Sequence, residues 1–121
     1  MPDYKIAAIP GDGIGTEVID AGIKVLNALF EGDSESKLSV TIFPWGSDHY
    51  LQHGNMMPDD GLEQLKDFDA IYFGSAGDPR VPDHISLWGL RVAICQSFDQ
   101  YANVRPSLLL PGIKGPLRDV S

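Results

Sequence analysis

Residues 5–19 read KIAAIPGDGIGTEVI. The apolar run from Lys5 to Ile9 stops at Pro10-Gly11, the pattern of a short buried strand closed by a turn. From Gly15 to Phe30, the apolar residues Val18, Ile19, Ile23, Leu26 and Phe30 recur at steps of three and four, which predicts an amphipathic helix. Thr16-Glu17 falls in its first turn, where the helix dipole favours negative charge. After the polar loop Glu31 to Lys37, Leu38, Val40 and Ile42 alternate with Ser39 and Thr41, and Leu38 to Phe43 reads as a second strand. Strand, helix and strand in this order open a parallel βαβ unit.

The chain continues in the same manner. Ser47 to His53 is predicted as a short helix closed by Gly54, and Pro58-Asp59-Asp60 starts another that ends near Phe68. Ala70 to Phe73 makes a third strand, followed by the loop GSAGDPRVPD, where open α/β sheets carry their sites. Ile85, Trp88, Val92, Cys95 and Phe98 predict a helix from Ile85 to about Phe98 despite Gly89. Asn103 to Leu110 reads as extended, because Pro106 disfavours helix at Arg105. Alternating strands and helices define an α/β class with a parallel sheet.

The loop Gly11-Asp12-Gly13-Ile14-Gly15 invites a dinucleotide-binding reading, since glycines admit a pyrophosphate to a helix N-terminus. Three features oppose it. The fingerprint requires glycine where Thr16 stands, Phe43-Pro44-Trp45 replaces the acid expected after the second strand, and Asp12 would repel a phosphate. A tight structural turn is the competing account of these glycines.

With 121 residues, 43% of them hydrophobic and 21% charged, the chain can bury a core of one domain. Nine Lys and Arg against 17 Asp and Glu give a net charge of -8, which argues against nucleic acid and anionic membrane surfaces as partners. The charge is unevenly placed. Residues 1–79 hold 14 acids and 4 lysines, whereas residues 80–121 hold 3 acids and 5 bases, including Arg80, Arg91, Arg105 and Arg118. A single cysteine, Cys95, is consistent with a reducing cytoplasm. No run of about 18 apolar residues suggests a membrane span.

Three segments in order, KIAAIPGDGIGTEVI at 5–19, FDAIYFGSAGDP at 68–79 and FDQYANVRP at 98–106, resemble the isocitrate and isopropylmalate dehydrogenase family. WGSDHYLQHGNMMPDDGLEQL at 45–65 and VPDHISLWGLR at 81–91 are most similar to its tartrate and decarboxylating D-malate dehydrogenase branch. The resemblance implies an isopropylmalate-dehydrogenase-like α/β fold that is not a true Rossmann fold. It also implies oxidation of a small anionic 2-hydroxy acid, which decarboxylation can follow, using NAD and Mg2+ or Mn2+, in a cytoplasmic homodimer. A non-catalytic binding or regulatory partner on the same fold is the alternative.

Residue by residue, Arg105 matches the arginine of the family's N-[LV]-R-P motif, which binds substrate carboxylate. An arginine usual ten residues earlier is replaced by Cys95, and Arg91, one helical turn before it, is expected to fill part of that role. Gly74, Ser75, Ala76, Gly77 and Asp78 match a segment near the cofactor, and Ile14 the loop facing the nicotinamide. His84, in the branch motif, is a candidate for lining the site. His49, His53 and His84 have no carboxylate at metal-ligand spacing and read as helix or loop histidines. The family's catalytic tyrosine and lysine, its third substrate arginine, its D-x-x-x-D metal ligands and its H-G-[ST]-A-P-D loop have no match here. The resemblance therefore implies no catalytic or metal-ligating residue within residues 1–121, and no activity of this chain alone. It divides the chain into the start of a large domain, 1–100, and a strand and loop leading to a smaller one, 101–121. Open strand edges and apolar surface are expected to promote self-association.

Overall fold

The computed structural model describes residues 2–117. Three strands form one parallel sheet: β1 (Asp3–Gly11), β2 (Lys37–Ile42) and β3 (Ala70–Ser75), in the order β2-β1-β3. The register sets Ile6 beside Val40 on one side and Ala70 on the other. β1 lies between two strands, and its Ala7, Ala8 and Ile9 are fully buried. Continuous burial of this kind is what an unbroken apolar run requires in a parallel sheet. The strand ends are fastened by Asp69, whose carboxylate accepts the Lys5 N–H at 2.8 Å and whose own N–H donates to the Lys5 carbonyl at 2.9 Å.

Helix α1 (Gly15–Glu31) makes the crossover from β1 to β2, as its periodicity predicts. α2 (Ser47–His53) ends where Gly54 enters the left-handed region at φ 82°, a conformation that costs glycine nothing. α3 (Gly61–Leu65) is shorter than the expected segment. It stops because Phe68 turns inward onto Phe43, with the two rings edge to face at 5.5 Å.

The helix expected from Ile85 to Phe98 is present but is not uniform. α4 (Asp83–Ser86) widens into a π-helical stretch, Leu87–Val92, before α5 (Ala93–Ser97) resumes the regular winding. The mixed spacing of apolar residues reflects that extra residue per turn. Leu90 and Ile94 still reach the core, which Phe43, Trp45, Met56, Leu65 and Val81 complete. Residues 103–110 pair with no strand among the described residues, and they are exposed throughout. The anticipated extended segment is therefore an open arm rather than a fourth strand. Of the four arginines in the last third of the sequence, Arg118 lies outside the described residues, as does the end of the 101–121 segment.

Candidate functional site

The loops at the carboxyl ends of β1 and β3 lie against one another, and Asp12 joins them. Its backbone N–H donates to the Ser75 carbonyl at 2.7 Å, and its own carbonyl accepts the Ser75 hydroxyl. The side chain is buried, and both carboxylate oxygens are engaged. Oδ1 accepts the Ser47 N–H at 2.6 Å, while Oδ2 accepts the Ser47 hydroxyl at 2.7 Å and the Gly77 N–H at 2.8 Å. One carboxylate thus ties the glycine loop, the first turn of α2 and the loop after β3. It also supplies negative charge at the start of α2, where unpaired N–H groups favour it. The acid that opposes a phosphate reading of this loop therefore has a structural purpose.

Gly74 makes its close approach within the chain. A Cβ built there would stand 2.1 Å from the Pro10 carbonyl oxygen, so the missing side chain lets β3 and the turn after β1 touch. Gly13 is different: it has a φ of 55° and open space around its Cα. Beside it, Ile14 is 71% exposed, the wrong place for a large apolar side chain unless something covers it.

Beyond β3, a cleft of about 400 Å³ is lined by Phe73, Gly74, Ser75, Ala76, Leu87, Arg91 and Arg105. Five of the residues singled out from sequence, Gly74, Ser75, Ala76, Arg91 and Arg105, therefore share one cavity. Arg91 arrives from the π-helical stretch, and Arg105 from the exposed arm. Both guanidinium groups are permanent cations suited to two-point contact with a carboxylate. A second cleft of about 450 Å³ places Arg91 and Cys95 on a common wall with Asn103.

The remaining candidates lie elsewhere. Ile14 and His84 are exposed outside the arginine cleft, and Gly77 and Asp78 line an adjoining open pocket with Arg80 and Asp83. Asp78 is held by Arg80: Nη2 stands 2.6 Å from one carboxylate oxygen, and Nε donates to the other at 2.9 Å. The Arg80 guanidinium and backbone N–H keep the Asp78 carboxyl down at about 2. Arg80 also reaches Asp48 of α2 at 2.8 Å, and these two carboxylates raise its own affinity for the proton. Sequence reasoning missed Asp12 as a tie and Arg80 as a clamp. The signals were an acid between two glycines and an Asp-x-Arg turn.

Among the described residues, no group of three or more His, Cys, Asp or Glu could hold a metal ion, and no helix is long and apolar enough to cross a membrane.

A parallel α/β sheet with an arginine-lined cleft beyond its strand ends defines an open α/β protein with its candidate site at the carboxyl ends of its strands. Within that class, the family model described as isocitrate/isopropylmalate dehydrogenase matches residues 5–120, and the chain belongs to this family. It is 63% identical over 119 residues to a protein from Agrobacterium vitis named "Probable tartrate dehydrogenase/decarboxylase", covering 98% of this chain and 33% of that protein. It is 54% identical over 119 residues to the D-malate dehydrogenase [decarboxylating] of Escherichia coli K12, covering 97% of this chain and 33% of that one. Among solved structures, a beta-decarboxylating dehydrogenase from Thermococcus kodakarensis matches with a TM-score of 0.58 and 28% identity, over 79% of this chain and 27% of that one. The chain thus spans about a third of the length of the curated relatives it matches.

Proposed function

We propose that these residues supply the substrate-carboxylate side of an oxidoreductase that oxidises and decarboxylates a small 2-hydroxy acid such as tartrate or D-malate. The observation that carries this reading is the convergence of Arg91 and Arg105 on one cleft at the carboxyl end of β3. Two cations facing a dianion bind it and hold its carboxylates apart in a fixed orientation. Arg105 takes one carboxylate. Arg91 provides the charge that Cys95 cannot, reaching the cleft from one turn earlier on the same helical rod.

NAD, when bound, accepts the hydride from the carbon bearing the hydroxyl. The open surface at Gly13, the uncovered Ile14 side chain and the Gly74–Asp78 loop fit a flat apolar ring approaching from that side. A catalytic Mg2+ or Mn2+ does not fit the described residues, which offer no ligand group of three His, Cys, Asp or Glu. Residues 1–100 then belong to a large domain, and 101–121 lead toward a smaller one. A homodimer in a reducing cytoplasm is the assembly and compartment that agree with the family and with the lone cysteine.

Two measurements test the reading. Meso-tartrate or D-malate added to the purified chain should shift the NMR signals of the Arg91 and Arg105 side chains. Reduction of NAD+ by tartrate or D-malate in the presence of Mn2+ should follow in an enzyme containing these residues. Ligand shifts confined to other surfaces would reject the assignment of the cleft.

A further inference from the structure

His49 and His53 lie four residues apart on α2, hence on one face. Their ring centres are 4.6 Å apart, with the planes inclined by 46°. Two imidazole nitrogens each about 2.0–2.1 Å from a shared zinc ion put their ring centres roughly 5 Å apart, close to the separation of this pair.

The tautomer is also set. His49 Nδ1 lies 2.7 Å from the Asn55 carbonyl oxygen. A carbonyl only accepts, so Nδ1 is the donor and Nε2 is the nitrogen left to offer a lone pair to a metal. Orientation of a ligand histidine through its second nitrogen is a usual accompaniment of metal sites. The turn at Gly54, which brings Asn55 back over α2, is therefore what positions the first ligand. His53 is exposed and free to rotate toward it.

We propose that His49 and His53 form a two-point surface site for a borderline divalent transition ion, of the Zn2+, Ni2+ or Cu2+ class. Imidazole nitrogen favours these ions over Mg2+, which prefers oxygen, so this site is separate from any metal used in the hydroxy-acid chemistry. Water completes the coordination, because no third His, Cys, Asp or Glu stands close enough among the described residues. Nearby Asp48 is already engaged by Arg80. An ion clipped across His49 and His53 would staple the whole of this short helix, whose first turn Asp12 fastens to the loop after β3.

The test is titration of the purified chain with Zn2+ alone, and separately with Ni2+, in competition with a chromophoric chelator, circular dichroism monitoring the fold. One equivalent should bind, and both His53→Gln and His49→Gln should weaken binding at least tenfold. His84→Gln and Cys95→Ser should leave it unchanged. His53→Gln decides the matter if His49→Gln disturbs the turn at Asn55, since the exposed His53 ring can be replaced without loss of packing. Wild-type binding no tighter than that of His53→Gln would overturn the proposal, as would a loss that follows His84 or Cys95.

Discussion

Ser47 meets the Asp12 carboxylate twice, through its N–H at 2.6 Å and through its hydroxyl at 2.7 Å, 35 residues away in sequence. The pair is buried, and the Gly77 N–H shares the same carboxylate. Removing the carboxylate would strand two N–H groups and a hydroxyl away from water. Hydrogen bonds to charged groups and the burial of orphaned donors each involve about 1–3 kcal/mol. Asp12→Ala is therefore expected to destabilise the chain by about 2–4 kcal/mol, measured by urea unfolding. Asp12→Asn retains one acceptor oxygen and should lose about half as much. Equal stability of wild type and Asp12→Ala would mean that the tie does not hold the loops together.

Asp78 and Arg80 give the fold a defined acid response. The Asp78 carboxyl lies at about 2 in the folded chain, below its ordinary 3.8. A carboxyl lowered by folding stabilises the fold fully above its unfolded value, and that stabilisation is lost as pH falls from about 3.8 through about 2. Arg80→Gln removes the main cause. It should return the Asp78 midpoint toward 3.8 in an NMR titration of the side-chain carboxyl carbon, and it should flatten this part of the acid-unfolding curve. The Arg80 side chain is largely exposed, so added salt should act in the same direction. A midpoint unmoved by Arg80→Gln would sink this account.

Much of the sheet could be read directly, because apolar runs and alternation follow from local geometry: β1, β2, β3 and α1 lie where Ile9, Val40, Phe73 and Ile19 implied. The π-helical stretch could not. Its extra residue per turn imitates the mixed three- and four-residue spacing of an ordinary helix, and at Gly89 within it a Cβ would come 3.1 Å from Met56 Cγ. That contact joins residues 33 positions apart and leaves no local trace. The arginine pair was legible only through resemblance, since a lone arginine carries no spacing signal. The long-range hydrogen bonds of Asp12 illustrate the same limit, as its acidity was visible but its three donors were not.

Gly74 and Gly13 separate two kinds of glycine requirement. At Gly74 a methyl group would run into the Pro10 carbonyl oxygen at 2.1 Å, a backbone atom that cannot move alone. Gly74→Ala should therefore cost about 3 kcal/mol as the turn and strand are forced apart. At Gly13 nothing lies within 4 Å, so Gly13→Ala incurs only the left-handed backbone cost of about 1–2 kcal/mol. Urea midpoints should rank the variants in that order. The reverse order would show that packing between the β1 and β3 loops is looser than their contact distances imply.

Arg91 and Arg105 enter the same cleft from unlike supports, and this difference sets what each substitution should do. Arg105 stands on an exposed arm before Pro106, so Arg105→Ala removes a cation with little loss of packing. A charge-assisted contact to a carboxylate contributes about 1.5–3 kcal/mol, which is roughly ten- to a hundredfold in affinity for tartrate or D-malate. Arg91 is fixed by the helical rod and also lines the second cleft beside Cys95. Cys95→Arg should therefore restore at least part of the binding lost in Arg91→Ala, because it puts a guanidinium back one turn along the same wall. Isothermal titration with each dianion, repeated at higher salt, measures both effects. Unchanged affinity in Arg91→Ala would leave Arg105 as the sole anchor and remove the case for compensation at Cys95.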